Sequence, residues 1–289
     1  MPMKQILLVI TIVVTIPFTV RTQNKLESYD FDNFKKLESK GKIPDDFLLL
    51  SSKKYENERQ KNNASSRKNR KIKDDFYKKS SFHVDELLQS GIVCFGDPVT
   101  EYVNKVADYI LQDDKELKDK LRFYTIKSNV TNAFSTDPGM IFITSGLISQ
   151  LENEAQLAFV LAHEIAHYTE KHVIENYVEN KRIDEEYKDD EEERIKQYSK
   201  YSQSHELDAD LIGAKRYIEH LEYSPSELVT SFLVLQFSNL PFDDIPFDKS
   251  YFNVDNFYIP PSLIKDTVKS ISTEIDPDDY ENSTHPNIN

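Results

Sequence analysis

The order of apolar and polar residues predicts a mainly helical chain with a few short strands. Helices are predicted over residues 84–88, 98–111, 146–151, 155–168 and 225–237. Residues 121–126 and 140–144 are rich in aromatic and β-branched side chains, which favours strands. The expected fold is therefore α+β and mainly helical, with a small antiparallel sheet beside a long helix that begins at about Glu152.

That long helix contains the sequence His-Glu-Ile-Ala-His at residues 163–167. His163 and His167 are four residues apart, so they share one helix face and can bind a single metal ion. Glu164 lies between them and can reach a water on that metal. Two imidazoles with one coordination position left open suit a catalytic zinc ion. Two surface histidines are the alternative, but the apolar run before them makes unpaired polar groups costly there.

A third metal ligand is expected in the sequence Glu-Leu-Asp-Ala-Asp at residues 206–210. Glu206 and Asp210 are again four apart, which lets Glu206 bind the metal while Asp210 accepts a hydrogen bond from a ligand histidine. Gly213 would allow this second helix to approach the first closely. His205 and Asp208 are the alternative ligands, and a plain acidic surface is the alternative to a site.

These segments resemble the M48 (Ste24/HtpX-type) zinc metallopeptidases. The resemblance rests on residues 157–167, 206–210, 132–147 and 283–286, and it covers residues 83–289. It implies a zincin (gluzincin-type) domain with one Zn²⁺ per chain, bound by His163, His167 and Glu206. Members of this kind often continue beyond the position that corresponds to Asn289, so the chain is interpreted as a fragment or a minimal version.

The resemblance also suggests roles for two further segments. It places the His-Pro motif of His285 near the metal, where His285 would stabilise the oxyanion or act as a fourth ligand that keeps the enzyme latent. An ordinary residue near the chain end is the third interpretation of His285. Zinc peptidases of this class bind an extended peptide along an edge strand. Asn132, Ala133 and Phe134, or residues 140–144, are the candidates for that edge.

Composition limits the classes of partner. The net charge is −14 and the pI about 5.0, which argues against nucleic acid because phosphate recognition relies on Lys and Arg. Cys94 is the only cysteine, so the chain can form no internal disulfide. A mean hydropathy of −0.59 excludes a protein with many membrane spans.

Targeting and domain boundaries follow from the first 81 residues. Residues 1–22 contain an uncharged apolar run and are interpreted as a cleaved signal peptide, with a single-span anchor as the alternative. Residues 23–81 are expected to form a charged flexible spacer whose centre, 62–71, is disordered. This spacer is a solvated tether or a basic contact to anionic lipid. The peptidase domain would span residues 82–289, and 180–194 would be a solvated helix or a mobile loop.

The sequence therefore predicts an exported zinc-dependent endopeptidase, periplasmic or secreted, or anchored with its domain outside the cytoplasm. Its expected substrates are unfolded or extended polypeptides. Quality control of exported or envelope proteins is the role implied by the resemblance. The alternative is a chaperone-like binding module with little or latent proteolysis, although a pure binder would not need Glu164. A membrane-tethered scaffold that uses the basic spacer is a third hypothesis.

Overall fold

The computed structural model describes residues 37–43 and 66–236, together with residues 56, 60, 245, 246, 267 and 268. Its helices are α1 (Arg67–Gln89), α2 (Pro98–Ile110), α3 (Lys115–Lys120), α4 (Ser145–Gln150), α5 (Glu154–Thr169), α6 (His172–Glu186), α7 (Glu191–His220) and α8 (Ser226–Gln236). Its strands are β1 (Arg122–Ile126), β2 (Ala133–Ser135), β3 (Met140–Thr144), β4 (Ile245–Pro246) and β5 (Thr267–Val268). All five predicted helices and both predicted strands are present, which confirms the mainly helical α+β fold.

The main sheet is mixed, and the expectation of an antiparallel sheet is wrong in this respect. The strand order is β1-β3-β2, with β3 parallel to β1 and antiparallel to β2. The chain leaves β1, crosses the end of β3 through residues 127–132, descends as β2 and turns back into the middle as β3. Strand β2 therefore runs opposite to β1. The hairpin between β2 and β3 reverses the chain once more, so β3 runs parallel to β1.

Each face of this sheet packs against a different helix. Phe123, Ile141 and Ile143 point to one face and form a core with α2 and α5. Tyr124 and Phe142 point to the other face and pack against α1. This alternation follows from the period of two residues in a strand. The sheet is therefore covered on both sides, and α5 is fixed between the sheet and the helices α7 and α8.

Helix α1 lies partly in the segment that the sequence assigns to a flexible spacer. It begins at Arg67 with Ser66 as its N-cap, so residues 67–71 are helical and the expected boundary at 81/82 falls inside a helix. The apolar residues Phe76, Val84 and Leu88 are spaced by multiples of four and are buried. This narrow apolar stripe is sufficient to hold a very polar sequence against the sheet.

The charged stretch 180–194 belongs to two helices. Residues 180–186 end α6 and residues 191–194 begin α7, with a short break at 187–190. Most of the stretch is exposed, while Ile183 is buried. The interpretation as a solvated helical face is thereby confirmed for these two parts. Within the described part of the chain, none of the helices combines the length and apolar character needed to cross a bilayer.

Candidate metal centre

Helix α5 carries the two predicted metal-binding histidines in a buried position. Asn153 caps its start by accepting a hydrogen bond from the Gln156 N–H at 3.0 Å. Every residue from Ala155 to Ala166 is buried, so the apolar run before the histidines is the centre of the core. His163 is 6% exposed and Glu164 7% exposed, and these polar groups need partners to be tolerated there.

The structure brings His163, His167 and Glu206 together. Their potential ligand atoms all lie within 4.8 Å of one another. The two Nε2 atoms are 3.0 Å apart, and Glu206 carboxylate oxygens lie 3.4 Å from His163 Nε2 and 3.5 Å from His167 Nε2. Ligand atoms about 2.0–2.2 Å from one tetrahedral zinc ion would be separated by roughly 3.3 Å. The donor set and its spacing therefore fit a single zinc ion.

Asp210 orients His163 from behind. Its Oδ1 lies 2.8 Å from Nδ1 of His163, so the Nδ1–H donates to the carboxylate and Nε2 is the ring nitrogen that faces His167 and Glu206. Burial lowers the pKa of His163, but the hydrogen bonds with Asp210 and Glu206 outweigh it and raise that pKa to about 10 in the absence of a metal ion. This cluster of carboxylates attracts positive charge to the position that a cation would occupy.

Gly213 permits the close contact between α5 and α7. A Cβ atom at this position would lie 3.0 Å from the His163 backbone nitrogen and 3.1 Å from its Cα. These distances are shorter than ordinary van der Waals contacts. Since Glu206, Asp210 and Gly213 recur every three or four residues on α7, they face α5 together.

The two alternative ligands lie elsewhere. Asp208 is exposed, and the His205 ring stacks on His172 with centroids 4.2 Å apart. The structure therefore brings Glu206, rather than His205 or Asp208, to the histidine pair.

His172 is a neighbour of the centre that the sequence analysis missed. Its Nδ1 lies 3.0 Å from Nδ1 of His167. Burial, together with the charges of His205 and His167, lowers the pKa of His172 to about 4, so its ring is neutral at pH 7 and can accept the N–H of His167. This contact holds His167 as the carboxylate of Asp210 holds His163.

A left-handed residue makes the His172 contact possible. Lys171 has φ 61° and ψ 31°, and it turns the chain sharply between α5 and α6 so that His172 lies back over His167. Such a turn is usually made by glycine or asparagine. A lysine does not indicate such a turn in a sequence. The only available signal for the contact was the spacing of five residues between His167 and His172.

Glu164 is held by the sheet. The backbone N–H of Ser135 in β2 donates a hydrogen bond to its carboxylate. The pKa of Glu164 is raised above its ordinary value, because burial and the charge of Glu206 outweigh the opposing effects of His163, His167 and the Ser135 hydrogen bond. A buried carboxylate next to three metal-ligand candidates is placed to exchange a proton with a water in the same space. Ser135 was not identified from the sequence.

Strand β2 is one of the two edges of the three-stranded sheet, and β3 is its central strand. Of the two predicted edges, residues 140–144 are thus excluded because β3 is paired on both sides. Ala133 and Phe134 lie in β2 and Asn132 precedes it. His285 and the proposed signal peptide lie outside the described residues, so both assignments stay predictions.

The segment that contains His163 and His167 is similar in sequence to known peptidases. Residues 99–183 match the family model of Peptidase family M48. The chain is 28% identical over 102 residues to a beta-barrel assembly-enhancing protease of Yersinia pestis, covering 35% of this chain and 21% of that protein. Its counterpart in Escherichia coli (strain K12) is 32% identical over 87 residues, which are 30% of this chain and 18% of that protein.

A eukaryotic relative matches a longer segment. The mitochondrial metalloendopeptidase OMA1 of Schizosaccharomyces pombe is 31% identical over 130 residues, covering 45% of this chain and 37% of that protein. The chain spans about a fifth of the length of the bacterial relatives and little more than a third of OMA1. The family resemblance seen in the sequence is confirmed over residues 99–183, which are similar to Peptidase family M48, and the mainly helical fold with a small mixed sheet is the one expected of a zincin-type domain.

Proposed function

We propose that this chain is a zinc-dependent endopeptidase that hydrolyses peptide bonds with an activated water. The observation that carries the proposal is the buried Glu164 beside the His163, His167 and Glu206 group, whose ligand atoms lie within 4.8 Å of one another. Two imidazoles and a carboxylate are a common donor set of catalytic zinc, and they leave one position for solvent or substrate. Without Glu164, the same three ligands would bind a metal ion, but no side chain would accept the proton of the attacking water.

The side chains around the ion have separate tasks in this proposal. A zinc ion held by His163, His167 and Glu206 would supply Lewis acidity for the peptide carbonyl and would make water a better nucleophile at neutral pH. Glu164 accepts the proton of the attacking water and returns it to the amine of the leaving peptide. Asp210 and His172 keep the two ligand rings in the tautomers and orientations that direct Nε2 to the ion.

Substrate binding is proposed along strand β2. The backbone bonds from the Thr144 N–H to the Asn132 carbonyl and from the Thr136 N–H to the Met140 carbonyl face β3. Because successive residues of a strand alternate, the polar backbone groups of Ala133 and Ser135 point away from β3. An unfolded or extended polypeptide would add there as a further strand, pairing with Ala133 and with the carbonyl of Ser135, whose N–H is already engaged by Glu164.

The decisive experiment compares four purified samples of the protein. Wild type, Glu164→Gln, His163→Ala and chelator-treated wild type are assayed for zinc content and for cleavage of unfolded casein. We expect about one zinc per chain in wild type and in Glu164→Gln, loss of zinc in His163→Ala, and cleavage only by untreated wild type. Equal cleavage in all four samples would refute the proposal. Zinc binding without any cleavage would favour the chaperone-like binding module.

We further propose that the substrates are misfolded exported or envelope proteins. The support consists of the apolar N-terminal segment of this chain and the names of the bacterial relatives, which refer to beta-barrel assembly. The zinc-loaded Glu164→Gln protein, expressed in a bacterial host and crosslinked in cells, should capture exported proteins in preference to cytoplasmic ones. Capture of both classes in proportion to their abundance would contradict this role.

A further inference from the structure

A small apolar pocket lies between α1, β2 and the first turns of α6. Its volume is about 300 Å³, at the lower limit of ligand pockets. A pocket of this size suits one large side chain rather than a whole cofactor. Its walls include the side chains of Phe76, Val84, Leu87, Phe134, Val173 and Tyr177.

The pocket is directly beside the candidate metal centre. Ser135 both lines the pocket and donates its backbone N–H to Glu164. On the opposite wall, Val173 follows His172, which contacts His167. One wall is therefore continuous with the proposed base and another with the residue that holds a proposed metal ligand.

Strand geometry connects the pocket to a bound peptide. Phe134 points to the sheet face that packs on α1 and stacks on Phe142 with centroids 5.2 Å apart. Ala133 belongs to the core on the α5 side of the sheet. A peptide that pairs with β2 would alternate in the same way, so its side chains on the Phe134 face would enter the pocket.

Charges at the rim of the pocket are already engaged. The ammonium group of Lys79 lies 2.8 Å from an Asp75 carboxylate oxygen and 3.0 Å from the Tyr177 hydroxyl. That hydroxyl donates to the same carboxylate. An acidic side chain entering the pocket would compete with Asp75 for Lys79 and would lose its hydration among apolar walls.

We propose that this pocket binds a large apolar side chain of the substrate polypeptide, within two residues of the bond that is cut. The inference rests on the proposed peptidase function and specifies which extended chains the enzyme prefers. Phe, Tyr, Leu or Met in the substrate would fill the pocket, whereas Asp or Glu at the same position would be rejected.

The first test maps the sites at which the zinc-loaded wild-type protein cuts unfolded casein, by mass spectrometry. Large apolar residues should be enriched at one position within two residues of the cut, and acidic residues depleted there. Cleavage with no such preference would overturn the inference and leave the proposed function intact. Absence of cleavage would instead refute the proposed function.

A binding measurement keeps the pocket testable without turnover. Three fluorescent peptides that differ only by Phe, Ala or Asp at the selected position are titrated against zinc-loaded Glu164→Gln protein. If casein yields no cleavage site, the substituted position is scanned along one extended peptide. We expect the Phe peptide to bind about tenfold more tightly than the Ala peptide and the Asp peptide to bind most weakly. Equal affinities for all three would overturn the inference.

Two wall substitutions, made in the Glu164→Gln protein, connect the preference to this pocket. Ser80→Phe fills the pocket from α1 and should reduce binding of the Phe peptide about tenfold while leaving the Ala peptide unchanged. Leu87→Lys places a cation in the wall and should improve binding of the Asp peptide relative to the Phe peptide. The matched control is Lys78→Phe, which adds the same ring at an exposed position of α1 outside the pocket. Unchanged preferences in both wall variants, after folding is verified by circular dichroism, would overturn the inference.

Discussion

Replacing Gly213 by alanine tests the close packing that aligns the proposed metal ligands. The added Cβ would lie 3.0–3.3 Å from backbone atoms of Ala162 and His163, in a helix that is buried on every side. Alanine gains about 1 kcal/mol of helix propensity over glycine. Overpacking a rigid core costs about 1–3 kcal/mol. Because backbone atoms cannot rotate away as a side chain can, we expect the protein to lose about 1–2 kcal/mol of unfolding free energy.

The same substitution should weaken metal binding. Separating α7 from α5 by a few tenths of an ångström moves Glu206 and Asp210 away from His163 together. Changes in groups that orient metal ligands commonly cost about 10–100-fold in affinity. We expect zinc affinity to fall about tenfold, measured by competition with a chromogenic chelator, and stability to fall in urea denaturation of the metal-free protein.

Lys215→Ala is the control, because it introduces the same residue at an exposed position two residues further along α7. It should leave both zinc affinity and stability nearly unchanged. An unfolding free energy about 1 kcal/mol higher in Gly213→Ala than in wild type, as expected at an uncrowded helix position, would contradict the close contact between the two helices.

Three further predictions address contacts around α5. His172→Phe removes the acceptor for the His167 N–H, and zinc affinity should fall about 10–100-fold in the same chelator competition. Lys171→Gly relieves a left-handed backbone and should raise the unfolding free energy by about 0.5–1 kcal/mol in urea. Tyr102→Phe removes a hydrogen bond to Glu154 and should cost about 0.5 kcal/mol at pH 7. The hydrogen bond lowers the pKa of Glu154, so its contribution exists above the ordinary carboxyl pKa and should vanish as the pH falls through the folded value.

Each of these three predictions has a control variant or a result that would contradict it. His83→Phe changes an exposed histidine and should leave zinc affinity unaltered. Glu170→Gly, next to Lys171 but in a right-handed conformation, should lower stability by about 1 kcal/mol. A loss in Tyr102→Phe that does not diminish as the pH falls through the folded pKa of Glu154 would show that the hydrogen bond to the ionised Glu154 carboxylate is not responsible.

Local sequence patterns predicted those parts of the centre that lie within one helix. His163 and His167, like Glu206 and Asp210, are four residues apart, and helix geometry alone places each pair on one face. The meeting of the two pairs depended on Gly213, which was recognisable because it follows Asp210 by three residues. In such cases the spacing of residues within one helix is sufficient to predict a contact between two helices.

Features that depend on chain reversal could not be predicted in this way. The direction of β3 relative to β1 is set by the crossing of residues 127–132, and neither strand sequence contains that information. The His172 contact depends on Lys171 in a left-handed conformation that lysine rarely adopts. Helix α1 has too few apolar residues for its composition to suggest order, and its stripe is stabilised by the sheet that it covers.

The attachment of Glu164 to the edge of the sheet has a consequence for protein turnover. Strand β2 has only three residues, and one of its outward N–H groups is already occupied by the base. In the proposed binding mode a target chain pairs through its main chain, so it would have to present a stretch whose own amides are unsatisfied, which native helices and interior strands do not offer. Whether a polypeptide is cleaved would thus depend first on its conformation, and only then on the side chains that the enzyme prefers.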